Sequence, residues 1–130
     1  WKKRQALARL YWRKRRYEEA ESMMKTAVSL FPSYPEVRYD MACLQIAREK
    51  KEEGIENIEI SIRDGLLFTR FGLPACFTLA EAYAQNGERN KAKAYYEQAA
   101  RQAFFMRRNP THENMPIVKK LERLGYLSAE

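Results

Sequence analysis

The chain has 130 residues and a net charge of +7, with 24 lysines and arginines against 17 aspartates and glutamates. This length corresponds to one domain that can bury a core of its own. No apolar run approaches the ~18 residues of a membrane span, and no secretory signal is visible, since the basic start leads into an amphipathic segment.

The positive charge is concentrated in the first predicted helix, at about 2–14, and in the turn that follows it. Residues 1–16 carry eight basic side chains and no acidic one, whereas 17–130 carry 16 basic and 17 acidic side chains. The basic side chains of this N-terminal cluster are those of Lys2, Lys3, Arg4, Arg9, Arg13, Lys14, Arg15 and Arg16. Such a cluster attracts nucleic acid, anionic lipid or an acidic protein segment, or it is a solvated helix surface that follows an acidic repeat.

The apolar spacing predicts seven helices and no strand. The predicted ranges are about 2–14, 17–31, 35–48, 54–67, 74–87, 89–108 and 114–125. Pro35 and Pro74 suit the first turns of their helices, and Gly87 is a good stop signal. The polar run at 49–53 is interpreted as a turn, and Gly72 as a position that supplies a positive φ.

The last predicted helix is expected to cover the open face of the hairpin before it, as a terminal helix does in helical stacks. Asn114 is the expected N-cap of this helix, and Gly125 ends it. Phe104 and Phe105, at the end of the preceding helix, are expected to provide its seat.

One pattern of large and small residues occurs three times along the chain. Its first copy is Leu7, Ala8, Tyr11, Ala20, Met24, Ala27 and Pro32, and its second, 34 residues on, is Met41, Ala42, Gln45, Gly54, Ile58, Ser61 and Leu66. A further 38 residues on lie Leu79, Ala80, Tyr83, Ala92, Tyr96, Ala99 and Phe104. The small residues allow two helices to approach, and the larger ones fill the volume between them.

This pattern and its period resemble the tetratricopeptide repeat (TPR) family. The resemblance implies an all-α fold, a superhelical stack of antiparallel helix hairpins of the α-solenoid type. It divides a single domain into repeats at 1–34, 35–68 and 73–108, a linker at 69–72 and a capping helix at 114–125. The second repeat departs most from the pattern, with Gln45 in place of an aromatic residue, Gly54 in place of alanine, and no glycine in its turn.

The resemblance also implies where a partner binds. In this family the first helix of each hairpin lines a concave groove. Carried over position by position, the expected partner-binding residues are Arg9, Trp12, Arg13, Tyr39, Asp40, Phe77 and Glu81. Tyr39 and Phe77 are expected to be exposed recognition aromatics, with the alternative that the terminal helix folds back and fills the groove.

The residues predict no catalytic, metal or cofactor site. The single histidine, His112, lies in a predicted loop, and the sequence has no CxxC pair and no phosphate-binding glycine loop. Cys43 and Cys76 are expected to be unpaired small residues in or near the core, which favours a reducing compartment.

We therefore expect a non-catalytic protein–protein interaction module that holds a peptide or helix of an acidic partner in its groove. Because the chain begins with Trp1, we expect it to be a piece of a longer protein. One alternative is binding of nucleic acid or another polyanion through the N-terminal cluster, although the second and third repeats lack the regular side-chain set with which helical repeats read RNA. The other alternative is self-association into a homo-oligomer through the first hairpin.

Overall fold

The computed structural model describes residues 17–106 and 114–128. Within these ranges the fold is all α, without a strand. The helices are α1 (Tyr17–Leu30), α2 (Pro35–Ala47), α3 (Lys51–Arg63), α4 (Gly72–Gln85), α5 (Arg89–Met106) and α6 (Met115–Arg123), and a short 3-10 helix spans Leu66–Phe68. The predicted fold class is confirmed, while the first predicted helix, at 2–14, lies outside the described residues.

The chain divides into two compact units whose boundary lies between Leu66 and Leu67. In the first unit α1 packs on α2, and α2 pairs with α3. In the second unit α4 pairs with α5, on which α6 packs. Turns of three residues connect α2 to α3 and α4 to α5, so each of these pairs is a helical hairpin.

The recurring residues of the sequence pattern form the contacts between helices. Ala20 and Ala27 of α1 are fully buried. They belong to one apolar cluster with Met24 of α1 and with Val37, Met41 and Leu44 of α2. The corresponding buried positions of the second unit are Leu79, Ala80, Ala92 and Ala99. Helices with such small residues at the contact approach closely, which positions the faces described below.

Gly54 of α3 occupies the repeat position of Ala20 and Ala92. A Cβ atom added to Gly54 would lie 2.5 Å from Cγ1 of Ile46 and 2.9 Å from the carbonyl oxygen of Ala42. Because the carbonyl belongs to the α2 backbone, it does not yield as a flexible side chain does. The departure from alanine at Gly54 therefore lets α2 and α3 approach more closely than a methyl group permits.

The turn between α2 and α3 is shorter than predicted. It covers 48–50, whereas the polar run suggested 49–53. Glu49 has a φ of +66°, in the left-handed region. The N–H of Glu49 donates to the carbonyl of Ile46 at 3.0 Å, and the N–H of Lys50 donates to that of Gln45 at 2.8 Å. This hydrogen-bond pattern closes the end of α2 in the way that a glycine usually permits.

Two glycines lie at the ends of the connection between α3 and α4. Gly65 has a φ of +108° and follows the last residue of α3, Arg63, by two positions. The helix therefore ends before residue 67, where the sequence predicted its end. Gly72 does not have the expected positive φ, because it is the first residue of α4. A Cβ atom added to Gly72 would lie 3.0 Å from Cα of Leu67. Gly72 is therefore required for close backbone approach rather than for a left-handed turn.

The side chain of Phe104, which was expected to provide a seat for the terminal helix, is 65% exposed. Ala99, Ala100 and Ala103 form the buried strip of α5. Phe104 follows Ala103 and so points about 100° away from it around the helix. The side chain of Phe105 lies outside the part of the chain that the structure describes.

The terminal helix forms as predicted, but its N-terminus differs. Asn114 occupies the N-cap position without a side-chain capping hydrogen bond, since its φ of −92° and ψ of −16° are close to helical values instead of the extended values of a capping residue. Val118 and Leu121 are buried, whereas Leu124 is exposed. Gly125 ends the helix at a φ of +86°.

Candidate partner-binding surfaces

The expected partner-binding residues fall into three groups. Tyr39 and Asp40 lie on α2 in the first unit, and Phe77 and Glu81 lie on α4 in the second. Outside the described residues are Arg9, Trp12 and Arg13 and the rest of the basic cluster, Lys2, Lys3, Arg4, Lys14, Arg15 and Arg16. The structure therefore describes two separate faces, one in each unit.

Tyr39 and Phe77 are less exposed than expected from the sequence, because each has a relative accessibility of 8%. Tyr39 belongs to α2, which packs against α1 on one side and α3 on the other, so only a narrow strip of that helix is open. Asp40, the next residue, is half-buried. The exposed aromatic recognition residues of the sequence analysis are thus corrected to buried rings with an acidic neighbour.

Phe77 and Glu81 are covered by a side chain from α6. The two residues lie one turn apart on α4, so they face the same direction. Lys120 of α6 forms an ion pair with the Oε2 of Glu81. The Nζ of Lys120 also lies 5.4 Å from the ring centroid of Phe77. A single ammonium group therefore interacts with both a carboxylate and an aromatic face.

An aromatic cluster extends from this lysine. Tyr96 of α5 contacts the ring of Phe77 edge-on, with 5.9 Å between the centroids and 69° between the planes. On its other side Tyr96 stacks on Tyr126, with 5.0 Å between the centroids and 20° between the planes. The turn at Gly125 positions Tyr126, whose N–H donates to the carbonyl of Leu121 at 3.0 Å. Three segments of the second unit thus meet at one cluster.

We call Phe77, Glu81 and Tyr96, the three residues around the ammonium group of Lys120, the lysine site. Residues 114–128 are called the terminal segment.

Burial raises the pKa of Tyr96, and the negative charge of Glu81 raises it further, while Lys120 opposes both effects. The side chains of Lys120 and Glu81 are 40% and 35% exposed. An ion pair so accessible to water contributes only about 0.2–1 kcal/mol. The contact is therefore specific in geometry but weak in energy.

The first unit contains a buried carboxylate that the sequence analysis missed. Glu21 of α1 is 7% exposed. The Nζ of Lys50 donates to its two oxygens at 2.9 and 3.1 Å, and Arg48 approaches at 3.5 Å. Burial pushes the pKa of Glu21 upward, but the hydrogen bond and charge of Lys50, with the charges of Lys25 and Arg48, outweigh it and lower the pKa.

Gln45, which replaces the aromatic residue of the repeat pattern, has hydrogen-bond partners for its side chain within the first unit. Its side chain is buried, accepts a hydrogen bond from Asn57 at 2.7 Å and donates to Glu53 at 3.3 Å. Arg38 in turn donates to Asn57 at 3.1 Å. The polar residues on α3 thus provide partners for a polar residue on α2, which avoids the free-energy cost of an unpaired buried amide. Both polar networks stabilise the first unit and contain no reactive group.

The described residues give little support for a metal site, a reactive thiol or a membrane span. No group of three histidine, cysteine, aspartate or glutamate side chains there is placed to hold a metal ion. Cys76 is buried, which raises the pKa of its thiol to about 12 and leaves it protonated and unreactive. His112 lies outside the described residues. No described helix is both long and apolar enough to cross a membrane.

The buried small residues, the three-residue turns and the paired helices define a protein of helical-hairpin repeats. Residues 4–34 and 73–103 each match the family model of the tetratricopeptide repeat, which is consistent with a protein of the tetratricopeptide repeat family. The matched segments correspond to the first and third repeats of the sequence analysis, and α2 and α3 form the hairpin between them. No curated protein matches the chain. Repeats of this family generally mediate protein–protein interactions.

Proposed function

We propose that this chain is a non-catalytic interaction module that binds a peptide or helix of a partner protein through the first helices of its hairpins. The observation that carries the proposal is the pair of tetratricopeptide repeats at 4–34 and 73–103. Supporting it, the α4 face already holds side chains from another segment through Phe77 and Glu81. The α4 face therefore offers a carboxylate and an aromatic ring as contact groups for a partner.

The charge of the first repeat favours an acidic partner. Residues 1–16 hold eight basic side chains and no acidic one. Arg9 and Arg13 supply guanidinium groups that pair with carboxylates, and Trp12 supplies apolar contact area. Exposed charge pairs contribute little alone, so most of the affinity is expected from aromatic side chains that the partner covers.

A selection experiment tests this function. A library of displayed peptides is selected on the chain, and the affinities of the recovered peptides are measured by fluorescence anisotropy for wild type, Arg13→Glu and Phe77→Ala. We expect acidic, partly apolar peptides whose affinity falls at least tenfold in both variants. Lys93→Glu is the matched control, because Lys93 is exposed on the second helix of its hairpin and should not alter binding. Circular dichroism confirms that each variant is folded.

The nucleic-acid alternative predicts a different result. Binding through the N-terminal cluster would fall in Arg13→Glu, remain unchanged in Phe77→Ala, and weaken steeply between 50 and 200 mM salt with any RNA sequence. That outcome, with no peptide recovered from the library, would contradict the proposed function. Self-association is checked on the same proteins by sedimentation at several concentrations.

A further inference from the structure

The terminal segment occupies the lysine site in a manner that resembles a bound ligand. Lys120 approaches Glu81 and Phe77, while Tyr126 stacks on Tyr96. Both side chains come from one short stretch that follows the last hairpin. The site they contact lies on helices α4 and α5, so it is built without the terminal segment.

We propose that Phe77, Glu81 and Tyr96 form a recognition site for a lysine side chain, that Lys120 occupies it as an internal ligand, and that a partner binds there by replacing the terminal segment. This inference rests on the proposed function and specifies the chemistry of one part of the binding face. The partner segment is a helix with a lysine in its last turn, followed by glycine and an aromatic residue.

The lysine specificity follows from the geometry of the site. The carboxylate of Glu81 and the ring of Phe77 lie one turn apart on α4 and face the same ammonium group. An ammonium group is compact and interacts with a ring face and a carboxylate at the same time. A carboxylate at that place would be repelled by Glu81, so this part of the face rejects the acidic residues that the N-terminal cluster attracts.

The aromatic requirement follows from the turn at the end of α6. Gly125 has a φ of +86°, and this conformation reverses the chain so that Tyr126 lies beside Tyr96. A residue with a Cβ atom adopts that conformation at a cost, which favours glycine before the aromatic residue. Lysine, glycine and aromatic residue therefore act together, six positions apart from first to last.

The helix of the terminal segment is short and has a small buried face. α6 has nine residues, which is shorter than the ~12–15 that a helix needs to persist alone in water. Only Val118 and Leu121 of the helix are buried, and Leu124 is 48% exposed. A partner with the same two anchors and further contacts therefore competes with a helix that is short and has a small buried face.

The test uses a fluorescein-labelled synthetic peptide with the sequence of residues 114–128, and the full chain as receptor. The receptor variant Lys120→Met with Tyr126→Ala empties the site of its internal anchors. We expect the peptide to bind this variant at least tenfold more tightly than wild type, where the internal segment competes. We expect a peptide carrying Lys120→Met to bind the variant at least threefold more weakly than the unaltered peptide.

Lys119 provides the matched control, because it is exposed on the same helix next to Lys120. Lys119→Met should neither open the site in the receptor nor weaken the peptide. If the double variant does not fold, the receptor variant Tyr126→Ala, which leaves α6 unaltered, should bind the peptide at least threefold more tightly than wild type. Glu81→Gln in either receptor should remove the preference for the lysine peptide.

Equal affinity for the peptides with and without Lys120, or no binding to either receptor variant, would overturn this inference. Neither result bears on the proposed function, because the library selection and its Arg13→Glu comparison do not use the terminal segment. Conversely, a chain that selects no acidic peptide from the library but binds this peptide through Glu81 would overturn the acidic partner of the proposed function while supporting the lysine site.

Discussion

Glu49 and Gly87 have the same left-handed backbone conformation, at φ +66° and +79°, at equivalent positions of the two described hairpins. Each is the second residue after the first helix of its hairpin. The residue that follows each of them donates its N–H to the helix, from Lys50 to Gln45 at 2.8 Å and from Glu88 to Tyr83 at 2.9 Å. The two turns thus have the same geometry, with glycine at position 87 and glutamate at position 49. The Cβ atom of Glu49 makes this conformation unfavourable by about 1–2 kcal/mol.

We predict that Glu49→Gly stabilises the first unit. Glycine removes the steric penalty of the left-handed conformation but adds entropy to the unfolded chain, so the expected net gain is about 0.5–1 kcal/mol. The free energy of unfolding is measured by urea denaturation followed by circular dichroism. Glu52→Gly is the control, since Glu52 is an exposed residue of α3 and the same replacement there should destabilise. A loss of stability in Glu49→Gly would mean that the turn is not left-handed.

The carboxylate of Glu21 should make stability depend on pH. Its pKa is below the ordinary value of 4.5 in the folded protein, so its contribution to stability is present above that value and is lost as the pH falls through the folded pKa. We predict that Glu21→Gln costs about 1–2 kcal/mol at pH 7, because the hydrogen bonds to charged Lys50 are weakened. The difference in the free energy of unfolding between wild type and variant should shrink as the pH falls below about 5, because the carboxylate of Glu21 then becomes protonated in wild type.

The control for that measurement is Glu18→Gln, which changes an exposed glutamate of the same helix. Glu18→Gln should leave both the free energy of unfolding and its pH dependence close to those of wild type. A constant difference between Glu21→Gln and wild type from neutral to acid pH would show that Glu21 is not ionised and paired in the folded chain.

Gly54→Ala should destabilise, in contrast to the usual effect of alanine in a helix. Alanine normally gains about 0.5–1 kcal/mol over glycine within a helix. Here its Cβ atom would meet the Ala42 carbonyl at 2.9 Å and Ile46 at 2.5 Å, so α2 and α3 must move apart. We expect a net loss of about 1–3 kcal/mol by thermal and chemical unfolding. Glu56→Ala, at an exposed position of α3, is the control, and a stabilised Gly54→Ala would contradict the close contact.

Ala92→Leu tests the same repeat position in the second unit. Ala92 is 4% exposed at the contact between α4 and α5. The larger side chain should overpack that contact and cost about 1–3 kcal/mol, which lowers the melting temperature. Ala94→Leu, at an exposed position of α5, should leave the melting temperature nearly unchanged. Equal melting temperatures for the two variants would show that the repeat register is wrong.

The sequence by itself determined which parts of the described chain form helices and where most of these helices begin and end. Pro35 and Pro74 lie in the first turns of α2 and α4, and Gly87 follows the end of α4 as expected. These signals are local, because a proline or glycine limits its own backbone and the helical period relates residues three or four apart. The repeat of small residues then indicated which helix faces meet.

Only the tertiary structure decided which distant side chains meet. Glu81 and Lys120 are 39 positions apart, and Glu21 and Lys50 are 29 apart, so no local periodicity relates the members of either pair. The burial of Phe77 likewise depends on how closely α5 and α6 approach α4, which neither helix propensity nor spacing specifies. Helices follow from interactions within a few residues, whereas a site follows from the packing of distant segments, and packing is a property of the whole unit.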